Sequence, residues 1–176
     1  LSHAPNTTNV KDEQNFSRAL FRRLPAEVLM DAVCDVTGIK EKFDGVPRGY
    51  RAVQLWDSQV QHYFLKLFGR PARATVCECE RVSGATIGQA LHLMNSPNLQ
   101  SKLAHEAGHL KRLTQRYEDD GALVEQLYLT AFSRRPSEGE LGNALEYLGS
   151  RRFNRRKAVE DIAWALMNSL EFIFNH

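Results

Sequence analysis

Apolar residues recur at three- and four-residue intervals along most of this chain. That spacing leaves room for little except helices packed on one another. Val28, Leu29, Ala32, Val33 and Val36 mark one face of a segment opened by Leu24-Pro25-Ala26-Glu27 and closed by Gly38. Proline is tolerated in a first helical turn, an acidic residue there complements the helix dipole, and glycine supplies a left-handed cap. The period returns over 58–68, with Val60, Phe64, Leu67 and Phe68 inward behind a capping Asp57. It covers 86–95 behind Thr86 or Ser83, and 98–117 after the break at Asn95-Ser96-Pro97. It then covers 121–133, with Leu123, Leu127, Tyr128, Ala131 and Phe132 at helical spacing. Ser137 and Glu140 form a capping box that opens 138–149. Asn154 caps 155–170, where Val159, Ile162, Ala163, Leu166 and Leu170 face inward. These spacings predict an all-α fold, a single compact domain of about seven helices.

Residues 1–23 are polar and carry no sustained period. They read as an N-terminal arm or a linker from an upstream domain, ahead of a helical domain over 24–176. Residues 39–54, with Gly45, Pro47 and Gly49, read as an irregular loop. A chain of 176 residues buries roughly 70% of its unfolded surface, enough for one self-sufficient core. Lys and Arg number 23 against 21 Asp and Glu, and 23 − 21 = +2 is too small a bias to argue for nucleic acid or an anionic membrane. Basic residues cluster at Arg134-Arg135, at Arg151-Arg152 and at Arg155-Arg156-Lys157. A single aromatic residue, Phe153, interleaves them, too few to stack successive bases, so they read as solvated faces. No apolar run approaches the roughly 20 residues of a membrane span, and no signal peptide is visible. The chain opens at Leu1 on polar coil, which reads as an excerpt of a longer protein and leaves export open.

Three cysteines do not make a disulfide scaffold. Cys34 lies among apolar residues in a helical pattern and reads as a buried, inert thiol. Cys77 and Cys79 stand two apart in TVCECER, so on a short extended segment both thiols face one side while Glu78 and Glu80 face the other. Such a pair has three chemical options: a soft metal, a strained local disulfide, or a thiolate lowered by Arg73 or Arg81. A metal would need two further ligands, with His92 the nearest donor. Otherwise the thiols enter the core and the segment is structural.

His105-Glu106-Ala107-Gly108-His109 matches H-E-x-x-H. On a helix the two imidazoles lie four apart on one face and can hold zinc, while Glu106 polarises a bound water. No downstream motif supplies a third ligand. Only the carboxylates of Glu118, Asp119, Asp120 and Glu125 follow within reach, and Gly108 lowers helix propensity. The competing reading is a solvated helix face. His92, in QALHLMN, reads as a satisfied core or helix-surface histidine. The ending FIFNH places Phe172 and Phe174 on an extended tail that covers the core. No phosphate-binding loop, nucleophile elbow or Ser-His-Asp order is legible.

Six separated segments fall in one order: NFSR at 15–18, RRLPAEVLMDAVCDVTG at 22–38, YFLKLFGRPARATVCECER at 63–81, QALHLMNS at 89–96, VEQLYLTAFSRRPSEGEL at 124–141 and NSLEFIFNH at 168–176. Together they resemble the C-terminal domain of unknown function 1553, and the CECER stretch belongs to that likeness. Residues 124–172 also resemble short helical assembly modules of bacterial surface proteins and phycobilisome linkers. The first resemblance implies an exported, planctomycete-type, multi-domain parent whose upstream parts include a haem-binding cytochrome c-like domain. It supplies no catalytic residues. Because this stretch has no C-x-x-C-H, any haem belongs to an absent upstream domain. The expectation is a non-catalytic packing or protein-interaction domain with no cofactor of its own. Its partners would be upstream domains of the same chain or a cell-surface protein. The alternative is a zinc-dependent hydrolase using His105, His109 and Glu106.

Overall fold

The computed structural model describes residues 6–12, 17, 22–56, 60–70, 86–151 and 154–175. The fold is all-α. Among the described residues nine helices follow one another: α1 (Ala26–Thr37), α2 (Tyr63–Leu67), α3 (Ile87–Asn95), α4 (Pro97–Leu103), α5 (His109–Arg116), α6 (Asp120–Phe132), α7 (Glu138–Ser150), α8 (Arg155–Met167) and α9 (Leu170–Ile173). A 3-10 turn spans Ala52–Gln54. Two-residue strands, β1 (Arg22–Arg23) and β2 (Phe174–Asn175), pair antiparallel, with Arg22 opposite Asn175 and Arg23 opposite Phe174.

Helix α1 occupies the centre. It packs against the 52–54 turn, α2, α5 and α6, and eight of its twelve residues are buried. Leu29, Met30, Val33 and Val36 join Leu123, Val124 and Leu127 of α6 and Val159, Ala163 and Met167 of α8 in one core. Each fully buried aliphatic side chain of this kind contributes about 1.5–3 kcal/mol. Asp31 is also buried there, and its carboxylate accepts N–H bonds from Ala52 (2.7 Å) and Val53 (3.2 Å). The 3-10 turn is thereby fastened to α1 by its orphan amides. Gly38, at φ +70°, caps α1 as its position in the sequence predicts.

Several boundaries differ from the spacing-based expectation. The Ser137/Glu140 capping box and the Asn154 cap stand, and of Thr86 and Ser83 it is Thr86 that caps α3, forming a further capping box with Gln89. Helix α2 begins only at Tyr63, because His62 stays extended (φ −144°, ψ 120°) as its N-cap; Asp57 lies outside the described residues. The segment 98–117 is two helices. Residues 104–108 form a turn, since a Cβ on Gly108 would lie 2.9 Å from the His105 carbonyl and 3.2 Å from that of Thr37. The absence of that Cβ lets the chain fold back against the end of α1. Phe172 sits in α9, capped by Ser169, so only Phe174 is extended.

The basic clusters are likewise more engaged than a solvated face. Arg134 makes paired hydrogen bonds to Glu171 (2.6 and 2.7 Å) and to Glu140 (2.9 and 2.8 Å), tying the α6–α7 turn to α9. Arg155 donates to the carbonyls of Thr114 (2.9 Å) and Tyr117 (2.8 Å) and to Asp120 (2.8 Å). A guanidinium there complements the negative end of α5.

Gly38 carries two demands at once. A Cβ there would meet the His109 Cβ at 2.8 Å and its amide nitrogen at 2.9 Å, on a backbone L side chains rarely adopt. Gly38→Ala is expected to cost about 2–4 kcal/mol, as backbone strain and overpacking add. A urea unfolding curve within 0.5 kcal/mol of the parent (roughly the scatter of a neutral surface change) would refute that account.

Candidate functional site

The H-E-x-x-H segment occupies the turn between α4 and α5, so its helical premise fails. His105 is exposed, and its Nδ1 accepts the Ala107 N–H at 3.1 Å. His109 opens α5, half-buried against Gly38. Burial pushes its imidazole below the ordinary range, opposed by a hydrogen bond to the Val36 carbonyl and assisted by Arg112. Glu106 projects into solvent, bridging Lys111 and Arg156. The bond from Lys111, then that from Arg156, holds its carboxyl down at about 2. A carboxylate so engaged is a weak proton acceptor. Among the described residues no three His, Cys, Asp or Glu side chains gather as a metal would require. Cys77 and Cys79 lie outside the described residues.

The structure gathers its polar side chains elsewhere, in a cleft of about 440 Å³ enclosed by α1, the chain around residue 41, α2, α3 and α4. The walls are mainly apolar, with Met30, Val33, Phe64, Leu93 and Leu99 among them. Into this surface α4 brings Lys102, whose side chain is only 7% exposed. Its ammonium donates to the Ile39 carbonyl at 2.9 Å, pairs with Glu41 at 3.2 Å and lies 3.8 Å from the Cys34 sulfur. Glu41 also receives the Asn98 amide at 3.5 Å and faces His62 Nε2 at 3.8 Å. Burial alone would raise the Glu41 carboxyl. The facing His62 imidazole and the charge of Lys102 outweigh it and hold the group at about 2, below an ordinary 4.5. Cys34 is buried in α1, and burial raises its thiol despite the nearby ammonium.

His92 forms part of the same wall. Its ring lies 5.2 Å from that of Tyr63, 5.7 Å from Phe64 and 6.4 Å from Phe68, all edge-on. Burial, then the neighbouring His62 ring, lowers its basicity below the ordinary imidazole value.

A second feature lies beyond the 3-10 turn. Tyr50 and Trp56 meet edge-to-face at 5.7 Å, with Val53 between them in the chain. Their exposures are 36%, 65% and 52%. Arg51 stands beside them, paired with Asp35 at 3.0 Å.

A family model described as Protein of unknown function (DUF1553), PSD1, matches residues 2–148. The chain belongs to the DUF1553 family. The match takes in every segment of the resemblance except NSLEFIFNH at 168–176. No curated protein and no solved structure matches.

In this DUF1553 domain the cleft residues Glu41, His62 and Lys102 carried one overlooked sign. Lys102 occupies an inward position beside Leu99 and Leu103, and a cation on an apolar helix face requires a buried partner. Glu41, in an irregular loop, carried no periodic signal.

Two measurements bear on these assignments. The depressed Glu41 carboxyl contributes stability above pH 4.5 that disappears as pH falls toward about 2. Wild type should therefore lose stability over that interval more steeply than Glu41→Gln; parallel pH profiles would disprove the pairing. At the turn, His105→Ala should change stability by under about 0.5 kcal/mol. His109→Ala should cost about 1 kcal/mol through its lost hydrogen bond and packing. Equal effects in urea unfolding would contradict the different surroundings of the two rings.

Proposed function

We propose that this domain is a non-catalytic packing and interaction module of an exported, cytochrome-associated, multi-domain parent. Its partner surface is the Tyr50–Val53–Trp56 face, and the occupant is a neighbouring domain of the same parent chain. The observation that carries this reading is Trp56, which stays largely exposed while leaning edge-on against Tyr50. Tryptophan, tyrosine and arginine are the residues that dominate binding energy at protein interfaces. Here they stand together on a turn whose amides are anchored to the buried Asp31. A platform held in this way loses little conformational entropy when a partner covers it. Export, a planctomycete-type setting and a haem in a different domain are the parts of the reading that rest on the family resemblance. On this reading the chain itself binds neither haem nor zinc.

The test is to titrate the isolated chain with the remaining domains of its parent by calorimetry, which reads the unsubstituted chain and its variant alike, and to follow tryptophan fluorescence in the unsubstituted chain. Association should shift the emission to the blue. Trp56→Ser should weaken it at least about tenfold while leaving the unfolding midpoint nearly unchanged. Undiminished association of the variant would remove this face from the proposal. Stoichiometric zinc in tag-free protein would remove its non-catalytic, cofactor-free part.

A further inference from the structure

We propose that the cleft between α1 and the α2–α4 run binds a small, neutral, ring-bearing molecule that carries a hydroxyl or N–H donor, of the phenol or indole type.

The volume of about 440 Å³ lies within the range of small-molecule sites, and such sites are apolar with a few placed polar groups. Charge narrows the guest. Lys102 and Glu41 cancel one another. The ammonium is already directed to a carbonyl, a carboxylate and a thiol, and the carboxylate to the ammonium, an amide and an imidazole. A charged guest would have to break this set and leave a buried ion unpaired, at high cost. Neutrality follows.

Shape and hydrogen bonding narrow it further. The rings of His92, Tyr63 and Phe64 line one side of the cleft together, and a cluster of aromatic rings favours another ring, stacked or edge-to-face. Met30, Val33 and Leu99 supply an aliphatic wall that rewards an apolar body. The His92 ring makes aromatic contacts but no side-chain hydrogen bond among the described residues; its carbonyl accepts the Ser96 N–H at 2.9 Å. A neutral imidazole has one nitrogen that accepts. A ring with an O–H or N–H satisfies that nitrogen, whereas a purely hydrocarbon ring leaves it bare. The Glu41–Lys102 pair, on this account, closes the polar end of the cleft without attracting ions.

Calorimetric titration of the tag-free chain of residues 1–176 tests this with four probes: phenol, indole, toluene and benzoate. Phenol and indole should bind saturably, toluene about tenfold more weakly and benzoate not at all. Phenol should also shift the His92 ring resonances in nitrogen-correlated NMR spectra. In His92→Phe the advantage of phenol over toluene should vanish while toluene still binds. Asn98→Trp, at the exposed rim, should block every probe and serves if the His92 variant does not fold. Trp56→Ser should bind phenol normally, which separates this site from the interaction face. The inference falls if phenol binding is not saturable, if benzoate competes, or if Asn98→Trp binds phenol as the parent does.

Discussion

A helix buried on nearly every side cannot leave its polar groups to water, and α1 is such a helix. Asp31, Cys34 and Thr37 lie inside along with its aliphatic residues. Thr37 turns its hydroxyl back to the Val33 carbonyl at 2.8 Å. Asp31 needs donors from elsewhere and takes them from Ala52 and Val53. Cys34 meets the ammonium of Lys102. The loop after α1 therefore follows the helix rather than wandering from it. Its path brings Glu41 to one side of the cleft and holds Tyr50 and Trp56 on the outside. Both features proposed to act in this domain descend from the same requirement that buried polar groups be paired.

Away from α1, charge works at the ends of helices. Arg155 closes the carbonyl end of α5, and Arg134 joins Glu140 of the α7 capping box to Glu171 of α9. Exposed ion pairs contribute little singly. Bidentate arrangements that fix a turn are different, because they remove alternatives for the backbone as well as pairing charges. The rings of Tyr128 and Phe132 lie beneath the Arg134 guanidinium at 5.6 and 5.4 Å, which shields that network on one side.

The helical fold was legible because it depends on spacing. A period of three and four is a local property, and capping residues such as Thr86, Ser137 and Asn154 announce their helices directly. What spacing could not reveal was contact between distant segments. HEAGH satisfies a helical template residue by residue, yet Gly108 has its neighbours at Thr37, so only the tertiary approach explains the turn. Glu41, His62 and Lys102 are likewise separated widely in sequence and meet only after α1 has organised the loop. The Cys77–Cys79 pair, prominent in the sequence, lies outside the described residues.

The short pairing of β1 with β2 has a mechanical meaning. Arg22 stands opposite Asn175 and Arg23 opposite Phe174, and the Leu24 amide bonds the Ile173 carbonyl at 2.9 Å. Residues 22 and 175 thus sit at the same end of the ladder. Tension applied through those two residues loads its hydrogen bonds one after another, like a zipper, instead of shearing them together. The clasp therefore yields at low force while the helices behind it stay packed. Load passes next to Leu24 and Ile173, which pack against the core, and to Arg23, whose guanidinium donates to the Phe68 carbonyl at 2.9 Å.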